Sequence, residues 1–165
     1  MRRTLIGTAL TVLLLAAPAS AALPRAGVLV PGRSLGGIRL GERPAAVRAA
    51  LGSFYGVCQG CERATWYFTY RAFGDQGLAV EFTHRGVSAL YTLWRPRRWH
   101  DTYGLVLGAA EGAVHLRAGP HLRSLACDGY TALVADTHTT RSSYYVLNGR
   151  LWGFGLFPAG ASPCR

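Results

Sequence analysis

The chain contains no lysine and few acidic residues. All 18 of its basic residues are arginine, and eight aspartate and glutamate residues oppose them, which gives a formal net charge of +10. A phosphate-binding loop of the Walker type requires a lysine, so that kind of nucleotide site is excluded. The eight carboxylates form no obvious pair for general acid–base catalysis.

Other catalytic signatures are also absent from the sequence. No Gly-x-Ser-x-Gly motif marks a nucleophilic serine. His115 and His121 are separated by a Gly-Pro break, so they do not form a helical metal-binding pair. His100 and Asp101 are adjacent, and adjacent side chains rarely point toward each other. We therefore predict a protein that is not an enzyme and that holds no metal ion or cofactor.

The apolar content indicates a folded chain. Hydrophobic residues make up 50% of the 165 residues and charged residues 16%, which is too apolar for intrinsic disorder. The length suits one compact domain or two very small ones, and it is too short for a large barrel enzyme. Beyond the N-terminal segment, no apolar run is long enough to span a membrane.

The first 21 residues have the pattern of a signal peptide. Two arginines precede an apolar stretch over Leu5–Ala17, and Ala19-Ser20-Ala21 offers a small-residue cleavage site. No cysteine lies directly after the apolar stretch, at the cleavage site, so a lipid anchor is not expected. We predict cleavage near Ala21 and a secreted or periplasmic protein.

Four cysteines follow the predicted cleavage site, namely Cys58, Cys61, Cys127 and Cys164. An even number outside the cytosol predicts disulfides. A redox pair at Cys58 and Cys61 is one alternative, but it would need a following helix where the sequence is strand-like. A four-cysteine zinc site is another, but a second Cys-x-x-Cys is missing. Of three possible connectivities we favour Cys58–Cys61 with Cys127–Cys164, which would tie the C-terminal tail to the body.

The sequence carries an internal repeat. Gly37–Val47 aligns with Gly104–Val114 at a constant offset, and six positions between Gly37 and Gly52 are identical to their counterparts. The predicted organisation is a signal peptide (1–21), an N-terminal segment (22–35), repeat 1 (36–95), a basic and aromatic linker (96–102), repeat 2 (103–158) and a disulfide-tied tail (159–165).

Each repeat is predicted to form a short helix followed by an antiparallel meander of three strands. Pro44 suits the first turn of a helix over Ala45–Leu51, and a second helix is expected over Ala109–Ala118. Apolar residues alternate in segments such as Thr65–Arg71, and Asn148-Gly149 is the strongest hairpin signal. The expected class is α+β, two tandem repeats with the helices on one face of the sheet.

This pattern resembles a known family. A Leu-Gly pair, a short helix, a cysteine loop, an aromatic strand and a hairpin occur twice behind a signal peptide, as in beta-lactamase inhibitory protein. The small outer-membrane-assembly lipoproteins are similar. The Gly-x-x-Leu-Gly sequences at Gly37–Gly41 and Gly104–Gly108 carry the resemblance. It implies a non-enzymatic protein that binds other proteins through a sheet face and loops. The chain departs from these families in lacking the lipoprotein cysteine and in its tight Cys-x-x-Cys.

The candidate partner-binding residues are aromatic and basic. Aromatic residues of the predicted strands occupy both sets of alternate positions, so they point to both faces of the sheet. Helices can cover only one face, and the aromatic residues of the other face could form an exposed surface. The junction between the two repeats, Trp94–Asp101, adds three arginines between two tryptophans. The predicted set is Trp66, Tyr70, Tyr91, Trp94, Arg95, Arg97, Arg98, Trp99, Tyr144 and Trp152.

The predicted function follows from that set. We expect a secreted inhibitor or adaptor that docks an unidentified extracytoplasmic protein, without nucleic acid and without a membrane span. Its oligomeric state is left open. A small-ligand or envelope-polymer binding module is the alternative, and a hydrolase with an unrecognised site is a third. A concave pocket with convergent polar groups would favour these two alternatives.

Overall fold

The chain folds mainly into strands. The computed structural model describes residues 23–24, 26–72 and 74–165, and the predicted signal peptide lies outside the described residues. In chain order the elements are β1 (Val28–Val30), β2 (Ser34–Leu35), α1 (Pro44–Leu51), β3 (Gly56–Val57), β4 (Ala64–Thr69), β5 (Gly77–Thr83), β6 (Gly86–Leu93), β7 (His100–Asp101), α2 (Glu111–Ala118), β8 (Arg123–Cys127), β9 (Tyr130–Asp136), β10 (Thr140–Leu147) and β11 (Arg150–Pro158).

Eight of these strands form one antiparallel sheet in the order β3-β4-β5-β6-β11-β10-β9-β8. The two halves of the chain meet at its centre, where Tyr91 of β6 lies opposite Gly155 of β11 and Leu90 opposite Leu156. The β10–β11 turn is the predicted Asn148-Gly149 turn, and both of its residues have positive φ, 51° and 69°. Such a turn matches the twist of the strands that it joins.

The prediction of two helix-plus-three-strand repeats is wrong. Strand makes up 44% of the described residues and helix 11%, and each half of the chain supplies four strands to a single sheet. The cysteine loops predicted in the two repeats adjoin or contain two further strands, β3 and β8. No side chain of β8 is fully buried. This edge strand pairs with β9, and only Leu125 and Cys127 pack, partly buried, against the cluster on one face of the sheet.

A second, three-stranded sheet in the described part of the chain was also not predicted. It has the order β2-β1-β7, and β7 pairs in parallel with β1. The segment predicted to be a linker therefore contributes a strand and the fully buried Trp99. Two-residue strands carry no alternation that a sequence pattern could reveal.

The two helices are short and end at glycine. Helix α1 has Pro44 in its first turn and stops at Gly52, whose φ is 89°. Helix α2 stops at Gly119, whose φ is 108°. Helix α1 buries Val47 and Leu51. An eight-residue helix is about 12 Å long, so the helices cover only part of a sheet about 38 Å wide.

The sheet has two differently covered faces. On the helix face, Val47, Phe68, Leu90, Trp99 and Phe154 belong to one continuous buried cluster. The opposite face, which we call the tail face, carries a smaller cluster, comprising Ala89, Ala132, Val134, Tyr145 and Phe157.

The C-terminal tail (159–165) packs on the tail face. The Tyr145 hydroxyl donates to the Pro163 carbonyl at 2.9 Å, and Arg165 Nε lies 2.6 Å from Glu81 Oε1. Disulfides join Cys58 to Cys61 and Cys127 to Cys164, which confirms the favoured connectivity. The second disulfide fixes the tail beside β8. Within the described residues, neither helix is long and apolar enough to cross a membrane.

Candidate binding surfaces

Two of the predicted binding residues lie in the core. Trp99 and Tyr144 are fully buried. The Trp99 ring packs so closely on Gly27 that a Cβ there would lie 2.4 Å from it, and Trp99 Nε1 donates to the Tyr70 hydroxyl at 2.6 Å. The Tyr144 hydroxyl donates to Asp101 Oδ2 at 3.1 Å. Burial raises the pKa of Tyr144, and the Asp101 carboxylate raises it further. These side chains position neighbours and are not available to a partner.

Trp66 packs on the helix face. Its ring stacks on Tyr55 with centroids 4.2 Å apart, and the Arg48 guanidinium lies 5.4 Å from its centroid. This half-buried side chain fills space beside α1, so it is separated by the sheet from the aromatic residues of the tail face.

Tyr91 contacts the C-terminal tail. The Arg165 guanidinium lies 5.7 Å from its ring centroid and 4.8 Å from that of Phe157, while the same guanidinium pairs with Glu81. Burial raises the pKa of Tyr91, and the Glu81 carboxylate adds to the rise. Glu81 is itself buried and also pairs with Arg63 at 3.2 Å. Tyr91 therefore belongs to an intramolecular anchor.

Trp94 and Trp152 come together on the tail face. Their ring centroids are 6.0 Å apart, and Trp152 also contacts Tyr130 at 5.6 Å and Tyr145 at 5.4 Å. We call these four residues the aromatic patch. Trp94 is 53% exposed, whereas Tyr145 is buried beneath it. Sequence reasoning missed Tyr130, and its only local signal is a position directly after the Asp128-Gly129 turn, at the start of β9.

The segment Arg95–Arg98, here called the arginine loop, has an unusual backbone. Arg95 and Arg98 have φ values of 35° and 65°, a region that side chains other than glycine adopt at a cost of about 1–3 kcal/mol. Buried Pro96 and buried Trp99 hold the loop in place. Its arginine side chains are exposed.

A cleft of about 980 Å³ lies beside the arginine loop. Arg97 and Arg98 line one side of it, whereas Arg95 does not. The other described residues that line it come from the N-terminal segment, from the end of α1 and from the end of β4 with the β4–β5 connection, and they include Phe54, Tyr70, Arg71 and Asp75. The Tyr70 hydroxyl is already engaged, since it accepts from Trp99 and donates to the Pro24 carbonyl at 2.9 Å. Burial raises the pKa of Tyr70.

The described residues contain no group of three or more His, Cys, Asp or Glu side chains that could hold a metal ion. What the structure brings together instead is one aromatic patch with an exposed tryptophan and one arginine-lined cleft. The first arrangement can bury apolar area against a partner, and the second can hold negative charge.

The comparisons with known proteins concern the fold alone. No protein-family model matches the chain, and no curated protein sequence matches it. A DUF4309 family protein from Bacillus subtilis is similar in structure, with a TM-score of 0.55 and 16% identity over 74% of this chain and 82% of that chain. An extracellular protein containing a SCP domain, from Bacillus anthracis, gives a TM-score of 0.47 and 12% identity over 72% of this chain and 43% of that chain.

The Bacillus subtilis protein shares the fold, and at that identity the likeness extends no further. The likeness to the Bacillus anthracis protein supports no inference. Neither structure is described as a beta-lactamase inhibitory protein or an assembly lipoprotein, so that resemblance stays a prediction.

Proposed function

We propose that the chain is an exported, non-enzymatic binding protein that docks an acidic protein outside the cytoplasm through the aromatic patch and Arg95. The observation that carries the proposal is Trp94, which is 53% exposed while it packs against Trp152 at 6.0 Å. A large aromatic side chain held by a second one loses little conformational entropy on binding, and tryptophan is enriched at binding hot spots.

Charge supports the choice of an acidic partner. Arg95 follows Trp94 directly and is exposed. The chain carries a formal net charge of +10, and +8 remains after Arg2 and Arg3 leave with the predicted signal peptide. A positive surface speeds encounter with a negative one and disfavours basic partners. An apolar centre with a positive rim is the arrangement expected of a protein–protein interface.

The disulfides support the location. Both pairs of cysteines are oxidised in the structure, and such bonds persist in secreted and periplasmic proteins rather than in the cytosol. The signal-peptide pattern of residues 1–21 predicts the same route.

The test is capture of a partner by the oxidised mature protein from the extracytoplasmic fraction, followed by affinity measurement with the purified partner. Trp94→Ala should weaken that affinity about 30-fold or more, as expected for a hot spot. Tyr103→Ala is the matched control, because Tyr103 is 51% exposed and lies outside the patch. Its effect should stay within about twofold.

Salt separates the two contributions. Arg95→Gln should slow association and reduce its salt dependence, while the Trp94 contribution should persist in high salt because it is apolar. Equal losses from Trp94→Ala and Tyr103→Ala, or binding that vanishes entirely in high salt, would contradict the proposal.

A further inference from the structure

We propose that the cleft beside the arginine loop is a separate binding site for an amphiphilic oxyanion, a small molecule with a carboxylate or phosphate head and an apolar tail. The head would be held by Arg71, Arg97 and Arg98, and the tail would lie against Phe54. This site is distinct from the aromatic patch and does not depend on the proposed docking function.

Uncompensated positive charge is the first argument. Arg71, Arg97 and Arg98 all line the cleft. Among the described residues, none of these three guanidinium groups lies within ion-pair distance of a carboxylate. Asp75 is the single acidic residue among those described that line the cleft, so positive charge exceeds negative charge there. Guanidinium groups bind carboxylate and phosphate in a bidentate manner and with high geometric specificity.

The backbone of the arginine loop is the second argument. Among the described residues, three that are not glycine have positive φ, and two of them are Arg95 and Arg98. The third, Asn148, sits in a hairpin turn that requires that conformation. Arg98 is the third residue of a Pro96–Trp99 turn, which the Trp99 amide closes by donating to the Pro96 carbonyl at 3.4 Å, and a positive φ is common at that position. No turn of that kind accounts for the positive φ of Arg95, at the start of the loop. Strained backbone of this kind persists where the surrounding structure holds it in place and is concentrated at ligand-binding sites.

Buried neighbours hold the backbone of the arginine loop in this conformation. Pro96 and Trp99 are buried on either side of Arg97 and Arg98, and Trp99 Nε1 donates to the hydroxyl of Tyr70 at 2.6 Å. Tyr70 also lines the cleft. A direct hydrogen bond therefore joins the residue that follows the loop to a residue of the cleft lining, and it holds the backbone of Arg97 and Arg98 beside the cleft.

The apolar side of the cleft defines the rest of the ligand. Phe54 is 66% exposed and lines the cleft, so its ring offers apolar area to a bound ligand. Leu23 and Leu51 lie in the same lining. A volume of about 980 Å³ is at the upper end of what small-molecule sites use, so it accommodates an alkyl chain in addition to an anionic head.

The experiment is titration of the oxidised mature protein, followed by amide chemical shifts in NMR spectra. The probes are dodecyl phosphate, dodecanoate and inorganic phosphate, with the alkyl compounds kept below their micellar concentrations. We expect the alkyl compounds to shift residues 69–76 and 97–98 and to bind about tenfold or more tightly than inorganic phosphate. Which of the two alkyl compounds binds better identifies the head group.

Matched variants sharpen the result. Arg97→Gln with Arg98→Gln should weaken dodecyl phosphate binding about tenfold or more. Arg33→Gln with Arg39→Gln removes the same charge from exposed positions outside the cleft and should change affinity by less than about twofold. Phe54→Ala should weaken the alkyl compounds and leave the binding of inorganic phosphate unchanged. Circular dichroism checks that each variant is folded.

Several outcomes would overturn the proposal. Equal losses in the two double variants would mean that the net charge alone attracts the probes. Shifts confined to the aromatic patch would place binding elsewhere. Inorganic phosphate binding as tightly as the alkyl compounds would rule out an amphiphile. Sedimentation with phosphatidylglycerol vesicles, without binding of soluble dodecyl phosphate, would indicate a membrane surface rather than a small molecule.

Discussion

The two faces of the eight-stranded sheet are buried by different means. Helices α1 and α2 and Trp99 cover the helix face, and they bury a large cluster there that includes Phe68, Leu90 and Phe154. The tail face is covered by seven residues of irregular chain, held by the Cys127–Cys164 disulfide and by side-chain contacts such as Arg165–Glu81. Hydrophobic packing stabilises the first face, whereas a covalent bond and hydrogen bonds to the tail hold the cover of the second.

The difference shows why the exposed Trp94 lies on the tail face. A face covered by a hydrophobic stripe leaves little aromatic surface for a partner. The tail covers only part of the tail face, and Trp94 stays 53% exposed there. The arginine loop starts beside this residue and ends at Trp99 in the core, so one short segment joins an exposed surface to a buried anchor.

Truncating a buried phenylalanine on either face should produce the largest loss of stability, measured on two separate variants. Phe154 and Phe157 lie on the same strand, face opposite sides and are both fully buried. Phe154→Ala should lower the free energy of unfolding by about 3–5 kcal/mol. Phe157→Ala should cost less, because the tail above it can move into the space. Urea denaturation of both variants measures the difference, and a larger loss for Phe157→Ala would contradict the comparison.

Removing the disulfide that holds the tail should cause the second-largest loss of stability. Cys127 and Cys164 are 37 residues apart in sequence, and Cys58 and Cys61 are three apart. Replacing the first pair with serine should cost about 2–4 kcal/mol, and replacing the second pair about half as much, since the shorter loop restricts the unfolded chain less. Hydrogen exchange should show lost protection in residues 159–165 only for the first variant. Equal unfolding free energies for the two variants would contradict this prediction.

Removing one hydroxyl from each of two adjacent tyrosines compares the two faces of the sheet again. Tyr144 donates to the buried Asp101 carboxylate, while Tyr145 donates to the neutral carbonyl of Pro163. Tyr144→Phe should cost about 1.5–3 kcal/mol, because hydrogen bonds to charged groups contribute more, and Tyr145→Phe about 0.5–1.5 kcal/mol. Thermal denaturation of both variants provides the measurement. Equal costs would show that the charge of the acceptor makes no difference at these sites.

The pH dependence of one carboxylate should give the smallest effect. Hydrogen bonds from Arg141, and then from Arg123, lower the pKa of Asp136 below its ordinary value of 3.8. Arg141 also donates to the Ala161 carbonyl at 2.5 Å, which links this pair to the tail. The stabilisation is present above pH 3.8 and is lost as the pH falls through the lowered pKa.

Asp136→Asn should therefore be less stable than the native protein by about 1 kcal/mol at pH 7. The difference should disappear at a pH well below 3.8, where the native carboxyl is protonated and also neutral. Denaturation curves at both pH values supply the check, and a difference that is the same at both would show that the ion pair is not responsible.

Local sequence signals gave the disulfides, the Asn148-Gly149 turn and both helices, because each depends on residues close in sequence or on the small number of cysteine pairings. The three-stranded sheet was not predictable in this way, since β1 and β7 are far apart in sequence and too short to show a pattern. Short strands that pair with other segments also explain why the sequence predicts loops at or beside β3 and β8. Neither strand buries a side chain fully, so their own sequences carry a weak strand pattern, and pairing with a neighbouring strand places them in the sheet.

The candidate binding residues show a similar division. The residue types enriched at interfaces could be named from the sequence, but Trp99 and Tyr144 proved to be core residues, and Tyr130 was missed. Alternation tells which side chains share a face, not which face is covered. The cleft was also outside the reach of the sequence, because its lining combines α1, the β4–β5 connection and the arginine loop.

The sequence by itself determined the number and spacing of the cysteines, the turn at Asn148-Gly149 and the excess of arginine, since these depend on composition and on short-range chain geometry. The tertiary structure alone decided that the two halves share one sheet and that the tail lies across one of its faces. It also decided that Trp94 is exposed while Trp99 is buried. These features depend on contacts between distant segments, which no local pattern encodes.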